Sequence, residues 1–382
     1  MIFPGPTETG DPKPTPLYGA VAAVSSANSW TSINGWATAL VCTRIDEEYA
    51  SLTRSAGVFD ASALCRYTVR GEDAGVLLSR LTTAPVRNLA DGDASRGLLL
   101  ASDGAVVTMA RVARLSGDMY LLTVCEPIAR RLQIAARGFA VETEDISGHV
   151  AAMALLGPEA HAAARVLGVV GNAGPQVSKG RVRGVEVAAL PFALGNLTGL
   201  ELIYPQAEAI TLWDRVRRKQ AAQPVGLEAL DIVRIESASP RVGVDFTSAD
   251  NAGRDDRRRM PDEIGLPHLA PLDRGWYSGR AALARLAGGR QPYSGRYLVA
   301  LAMDAEDIGA GRAVMAGERV SGRVTSAAFS PRLRQSVCIA EIDGGDIGKS
   351  LAVAAPDAAG QRVSAHFLDA AEARDAAKFR AS

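Results

Sequence analysis

The chain has 382 residues, 47% of them apolar and 22% charged, and its 42 Lys and Arg balance 42 Asp and Glu. A chain of that length buries a large core and divides into two or three domains. Zero net charge and only 5% aromatic residues exclude a general pull toward nucleic acid or anionic membrane and weaken any base-stacking role.

Residues 1–16 are rich in Pro, Gly and Thr and read as a loose arm. Residues 18–36 are small, apart from Trp30 and Trp36, and read as an irregular packed segment. Tyr49, Leu52 and Ala56 at helical spacing predict a helix over 47–56, with Gly57 as its C-cap. An extended segment over 58–62, a strand over 67–71 and a helix over 72–81 follow. Strands over 97–100, 106–114 and 119–124 are divided by Ser102-Asp103-Gly104 and Ser116-Gly117-Asp118, both hairpin-turn chemistry. A helix over 127–139 carries a basic, solvated face. A strand over 150–156 ends at Gly157-Pro158 before a helix over 159–167. Another strand spans 185–190, and helices cover 209–219 and 226–236. The run Arg254 to Arg259 reads as an exposed loop. From Tyr297 onward, strands at 297–303, 319–329, 336–342, 350–353 and 361–366 predict a small antiparallel barrel. An alanine-rich tail over 370–380 is expected to be partly helical.

The cysteines (Cys42, Cys65, Cys125, Cys338) form no CxxC pair and fit reduced thiols in a cytoplasm. The histidines (His149, His161, His268, His366) have no ligand spacing, so no metal site is expected. The first residues lack a basic stretch followed by an apolar run, and no window approaches eighteen apolar residues. A cytoplasmic protein without membrane or nucleic-acid partners is expected; its oligomeric state stays open. Neither G-x-G-x-x-G, P-loop, G-x-S-x-G nor H-E-x-x-H is present.

Several segments together are similar to one family. Arg54-Ser55-Ala56-Gly57-Val58-Phe59-Asp60, Ala154-Leu155-Leu156-Gly157-Pro158-Glu159-Ala160 and Gly226 to Glu236 keep its order. So do Pro261-Asp262-Glu263-Ile264-Gly265-Leu266, Tyr277-Ser278-Gly279-Arg280, and Gly322-Arg323-Val324-Thr325-Ser326 with Ser330-Pro331-Arg332-Leu333. They resemble the tetrahydrofolate-dependent aminomethyltransferase (T-protein) of the glycine cleavage system and its demethylase relatives. The resemblance implies an α+β fold: a three-lobed ring with a C-terminal antiparallel β-barrel. The chain would divide into an arm (1–45), a two-lobed folate-binding body (46–290) and the barrel (291–382).

On that resemblance Glu201 falls where the family grips the pterin edge, a place suited to a carboxylate that accepts two parallel N–H bonds. Arg234 and Tyr277 carry over as further cofactor contacts, although Arg234 could equally pair with Asp231 or Glu236. The family's catalytic aspartate is missing: the matching positions read Val107 and Thr108, and Val112 stands where a folate-contacting tyrosine belongs. Thr108 cannot supply a charge near neutral pH. The candidates left for catalysis are Thr108, Asp103 and Arg111, the last as an attractor of acidic substrate.

Three functions follow. The first is a tetrahydrofolate-dependent methyl transferase, demethylating a small methylated compound. The second is the same fold used without folate, as a lyase, hydratase or isomerase on another small molecule. The third is a non-catalytic folate-binding protein.

Overall fold

A computed structural model describes residues 3, 5, 10–169, 176–182, 184–252, 257–288, 294–306, 308–354 and 362–368. The expected tail helix over 370–380 and positions 254–256 of the charged run lie outside them. Three large β bodies make up the architecture, beside a small three-stranded sheet of Lys13–Pro14, Trp36–Val41 and Ser29–Ile33. A six-stranded sheet has the order Ser178–Val182, Val185–Leu194, Leu197–Pro205, Val150–Leu156, Gly57–Asp60, Gln223–Pro224. A five-stranded sheet has the order Ala94–Leu100, Val106–Ser116, Met119–Val124, Cys65–Arg70, Glu142–Asp145. The third body is a closed six-stranded antiparallel barrel running from Arg296–Met303 to Arg362–Phe367. Helices and mostly antiparallel sheets together form the expected α+β class.

One apolar cluster joins the three bodies. It takes Phe59, Leu190 and Phe192 from the first sheet, Leu98, Leu100 and Met109 from the second, and Leu298, Val337 and Ile339 from the barrel. The helix Leu227–Glu236 runs through this cluster with eight of its ten residues buried. A helix enclosed on nearly all sides shows little amphipathic contrast, and that is how this one reads in the sequence.

Several expectations need correction. The described residues of the N-terminal arm are docked: Phe3 is buried against Phe59, their ring centroids 4.6 Å apart in an edge-on arrangement. The Thr15 hydroxyl donates to Asp60 at 2.5 Å. Residues 18–36 hold a short helix, Tyr18–Ala22, and a hairpin of Ser29–Ile33 with Trp36–Val41. The first long helix spans Ile45–Arg54 and ends before Gly57, which opens a strand instead. A Cβ there would meet a Leu52 methyl at 2.7 Å and a Val225 methyl at 3.0 Å, so those side chains would have to shift. Arg259, expected in an exposed loop, is buried and pairs with Glu341 of the barrel. The barrel also has a strand, Ala313–Ala316, that the turn pattern did not reveal.

Candidate functional site

The two sheets face each other across a buried ion cluster. Cross-strand register sets Arg66, Thr123, Arg111 and Arg96 side by side across four neighbouring strands of the five-stranded sheet. Directly opposed residues share a face, so the row projects together. On the other sheet Glu201 is flanked by Ala154 and Leu190. Arg66 Nη2 donates to Glu201 Oε1 at 2.5 Å, and Arg111 Nη2 faces Glu201 Oε2. Arg66, Thr123, Arg111 and Glu201 are all buried.

Backbone carbonyls complete the shell. Arg66 donates to Leu64 and Ala61 at 2.8 Å each, and Arg111 donates to Pro191 at 2.9 Å. The Arg111 guanidinium also lies 5.6 Å from the Phe192 ring centroid, a cation–π distance. Burial pushes Arg66 down to about 10 and Arg111 to about 9, the latter helped by the neighbouring Arg66 charge. Both remain cations at neutral pH. Beside the row lies a cavity of about 90 Å³ lined by Arg96, Met109, Ser239, Leu266, His268 and Leu269, among others.

The structure brings two of the candidate residues together, Arg111 and Glu201. The remaining four stand elsewhere. Arg234 Nε donates to Asp231 at 2.6 Å and its Nη1 to Asp245 at 2.8 Å. Asp245 also accepts from Thr325 and Ser326 of the barrel at 2.5 and 2.6 Å. Those contacts make Arg234 a brace between helix and barrel. The Tyr277 hydroxyl points at the carbonyls of Ala270 and Pro271 at 3.0 and 3.1 Å, which secures a loop. Asp103 accepts from Ala105 N at 3.2 Å within its turn and pairs with Arg258.

Thr108 is turned away from Glu201 by the ordinary alternation of its strand, just beyond a bulge. The register shifts between Leu99, opposite Thr108, and Leu100, opposite Val106, so Val107 is the extra residue. Beyond the bulge, Thr108 shares a face with Ala110 and Val112, which pack in the second sheet's helix-covered cluster. Met109 and Arg111 take the face toward Glu201. Thr108 is buried and its hydroxyl has no partner among the described residues.

Arg66 and Thr123 escaped the sequence reading. Arg66, Thr68 and Arg70 alternate with apolar neighbours, the pattern of a strand with one wet face. Only the facing sheet shows that the Arg66 end is covered. Among the described residues there is no group of three metal-ligating side chains, and no helix is long and apolar enough to cross a membrane.

The fold is that of an aminomethyltransferase. The crystal structure of glycine cleavage system aminomethyltransferase T from Bartonella henselae matches it with a TM-score of 0.80 at 21% identity, over 93% of this chain and 96% of that one. The GCVT N-terminal domain family matches residues 18–254, and the glycine cleavage T-protein C-terminal barrel domain matches 296–371. An aminomethyltransferase of Moorella thermoacetica is 31% identical over 88% of this chain and 91% of its own length. One from Thermus thermophilus is 30% identical over 88% and 93%. The chain belongs to the glycine cleavage T-protein (aminomethyltransferase) family.

Proposed function

We propose that the chain is a one-carbon transferase moving a methyl or aminomethyl group, specifically a demethylase of a small methylated compound. Family membership across both the N-terminal domain and the barrel carries this reading. Tetrahydrofolate is the one-carbon acceptor that family membership implies. In this reading Arg111 and Glu201 form the centre of the site. Arg234 and Tyr277 brace its walls, Asp103 holds its turn and Thr108 packs behind it.

The charged face does not fit a pteridine gripped by Glu201. Both carboxylate oxygens already face guanidinium groups and Glu201 is fully buried, so a pterin edge has no approach for the two parallel N–H bonds it would make. The adjoining cavity of about 90 Å³ is far below the roughly 300–1,000 Å³ of pockets that enclose drug-sized ligands. No step is therefore routed through folate at this face. What the residues themselves can do is orient an anion: Arg66 and Arg111 fix each other through Glu201, in a setting where water cannot screen them. The same observation favours the second reading, a folate-independent reaction of another small molecule on this fold.

Calorimetric titration of the full chain with tetrahydrofolate and 5-methyltetrahydrofolate separates the two. Transfer chemistry requires saturable binding, weakened in Glu201→Gln if that carboxylate takes part, with circular dichroism as the folding control. No binding at about 1 mM ligand, an affinity weaker than roughly −4 kcal/mol, sinks the transfer reading.

A further inference from the structure

The row Arg66–Thr123–Arg111–Arg96 is unusual because it sets like charges next to one another. Arg96 lies directly opposite Arg111 in register, and like charges so placed destabilise a sheet unless something offsets them. Glu201 is the only carboxylate within ion-pair reach of the row among the described residues, and it serves Arg66 and Arg111. Asp60 stands near Arg66, but its oxygens accept from Thr15 Oγ1 and Ser62 N. Arg96 has no ion pair or side-chain hydrogen bond among the described residues and is exposed at the cavity.

Unused donors sit along the same row. Arg66 Nε, Arg111 Nε and Thr123 Oγ1 are buried with no hydrogen-bond partner among the described residues. Such groups cost free energy when left unmatched; of the row, Arg96 alone lines the cavity, and what the buried members add behind it is excess positive charge. The cavity beside it is small, with an apolar floor of Met109, Ala110, Ala193, Leu266 and Leu269 and a polar mouth of Arg96, Ser239 and His268.

We propose that this cavity binds a small aliphatic carboxylate, its anionic end on Arg96 at the head of the arginine row and its short apolar end over Met109 and Leu269. The guanidinium fork matches a carboxylate with two parallel N–H bonds. The buried Arg111 behind it adds a potential that bulk water does not screen. The cavity volume limits the occupant to a few heavy atoms, and the apolar floor suits a terminal methyl group. This inference gives the substrate class of the site described above and rests on the reading that this face is where the reaction occurs.

The test titrates full-length protein calorimetrically with methoxyacetate, its neutral amide methoxyacetamide, and inorganic phosphate. Methoxyacetate is expected to bind saturably and the amide not. Arg96→Gln should weaken the carboxylate by roughly tenfold or more, the effect of one charge-assisted hydrogen bond. Arg96→Lys keeps the charge and should recover part of the loss. Arg96 is exposed, so thermal midpoints of both variants should match the parent and exclude misfolding as the cause. No saturable binding at about 50 mM, a level that detects affinities of only a few kcal/mol, overturns the proposal. So does equal binding of the amide, an unchanged Arg96→Gln, or phosphate binding more tightly than carboxylate. Carboxylate binding without tetrahydrofolate binding would sink the folate-transfer reading and leave this site standing. Folate binding without carboxylate binding would do the reverse.

Discussion

Glu201 has no solvent contact and lies between two guanidinium groups, so its charge holds two cations that would otherwise be buried uncompensated. Replacing it by Gln is expected to lower stability by about 3–5 kcal/mol, the usual cost of breaking one side of a buried pair. The readout is a lower urea midpoint with an unchanged slope. Adding Arg111→Met should recover part of that loss, because the second uncompensated charge goes with it. Glu126 presents the opposite case. Burial raises its carboxyl to about 7, with a neighbouring Asp250 charge acting in the same direction and the Ser248 hydroxyl opposing. A raised carboxylate binds its proton more tightly in the folded state, so the fold loses stability as pH rises from about 4.5 to about 7. Glu126→Gln should therefore stabilise the protein at pH 8, on the order of 1–2 kcal/mol after allowing for partial exposure. The gain should vanish near pH 4, and a gain that is constant with pH would contradict this origin.

The helix Leu227–Glu236 and the strand Val106–Ser116 show where the sequence is readable and where it is not. The helix was legible from the resemblance of Gly226 to Glu236 to a family segment, yet its charges say nothing by themselves about their partners. Glu236 accepts from Tyr49 at 2.9 Å and from Ser330 of the barrel, while Arg234 and Asp245 tie the same helix to Thr325 and Ser326. Those partners lie tens of residues away, and no local pattern encodes them. In the strand, the resemblance points to Val107 and Thr108, but the register puts Met109 and Arg111 on the face toward Glu201 and Thr108 on the other, with Val107 taken up in a bulge. Period-2 alternation separates Thr108 from Met109 and Arg111, but which of the two faces meets the other sheet is set by tertiary packing that the strand's own sequence does not encode. Asp245 is the node of the helix–barrel connection, being buried and accepting from Arg234, Arg241 N, Thr325 and Ser326. Asp245→Ala is expected to cost about 3–5 kcal/mol, since it leaves Asp231 alone to balance the buried Arg234 and Arg241 and unpairs Arg241 N and two barrel hydroxyls at once. Thr325→Val removes one hydroxyl and should cost nearer 1 kcal/mol. Equal effects in chemical denaturation would mean that charge is not what matters at this node.

At the scale of the whole molecule, the three β bodies have separate sheets but a shared interior. The apolar cluster draws side chains from both sheets, the central helix and the barrel. Polar links cross the same boundary. Arg259 pairs with Glu341, and Glu263 accepts from Met260 N at 2.8 Å and from the Ser294 hydroxyl at 2.7 Å. A barrel bonded this way cannot separate without exposing apolar surface on both sides and leaving charged groups unpaired. Chains with several units often unfold in steps; here a single step is expected. With Trp30, Trp36 and Trp276 replaced by Phe, Trp213, buried in the other apolar cluster against the six-stranded sheet, should report the same urea midpoint by fluorescence as far-UV circular dichroism does for the whole chain. A distant variant sharpens the test. Ser330 lies on a barrel strand and donates to Glu236, so Ser330→Ala removes a hydrogen bond to a charged acceptor, a loss of about 1.5–3 kcal/mol. If the bodies unfold together, this barrel substitution shifts the Trp213 midpoint as far as the dichroism midpoint. A Trp213 signal that ignored Ser330→Ala would show the barrel unfolding on its own, and the shared cluster would then be too weak to couple the three bodies.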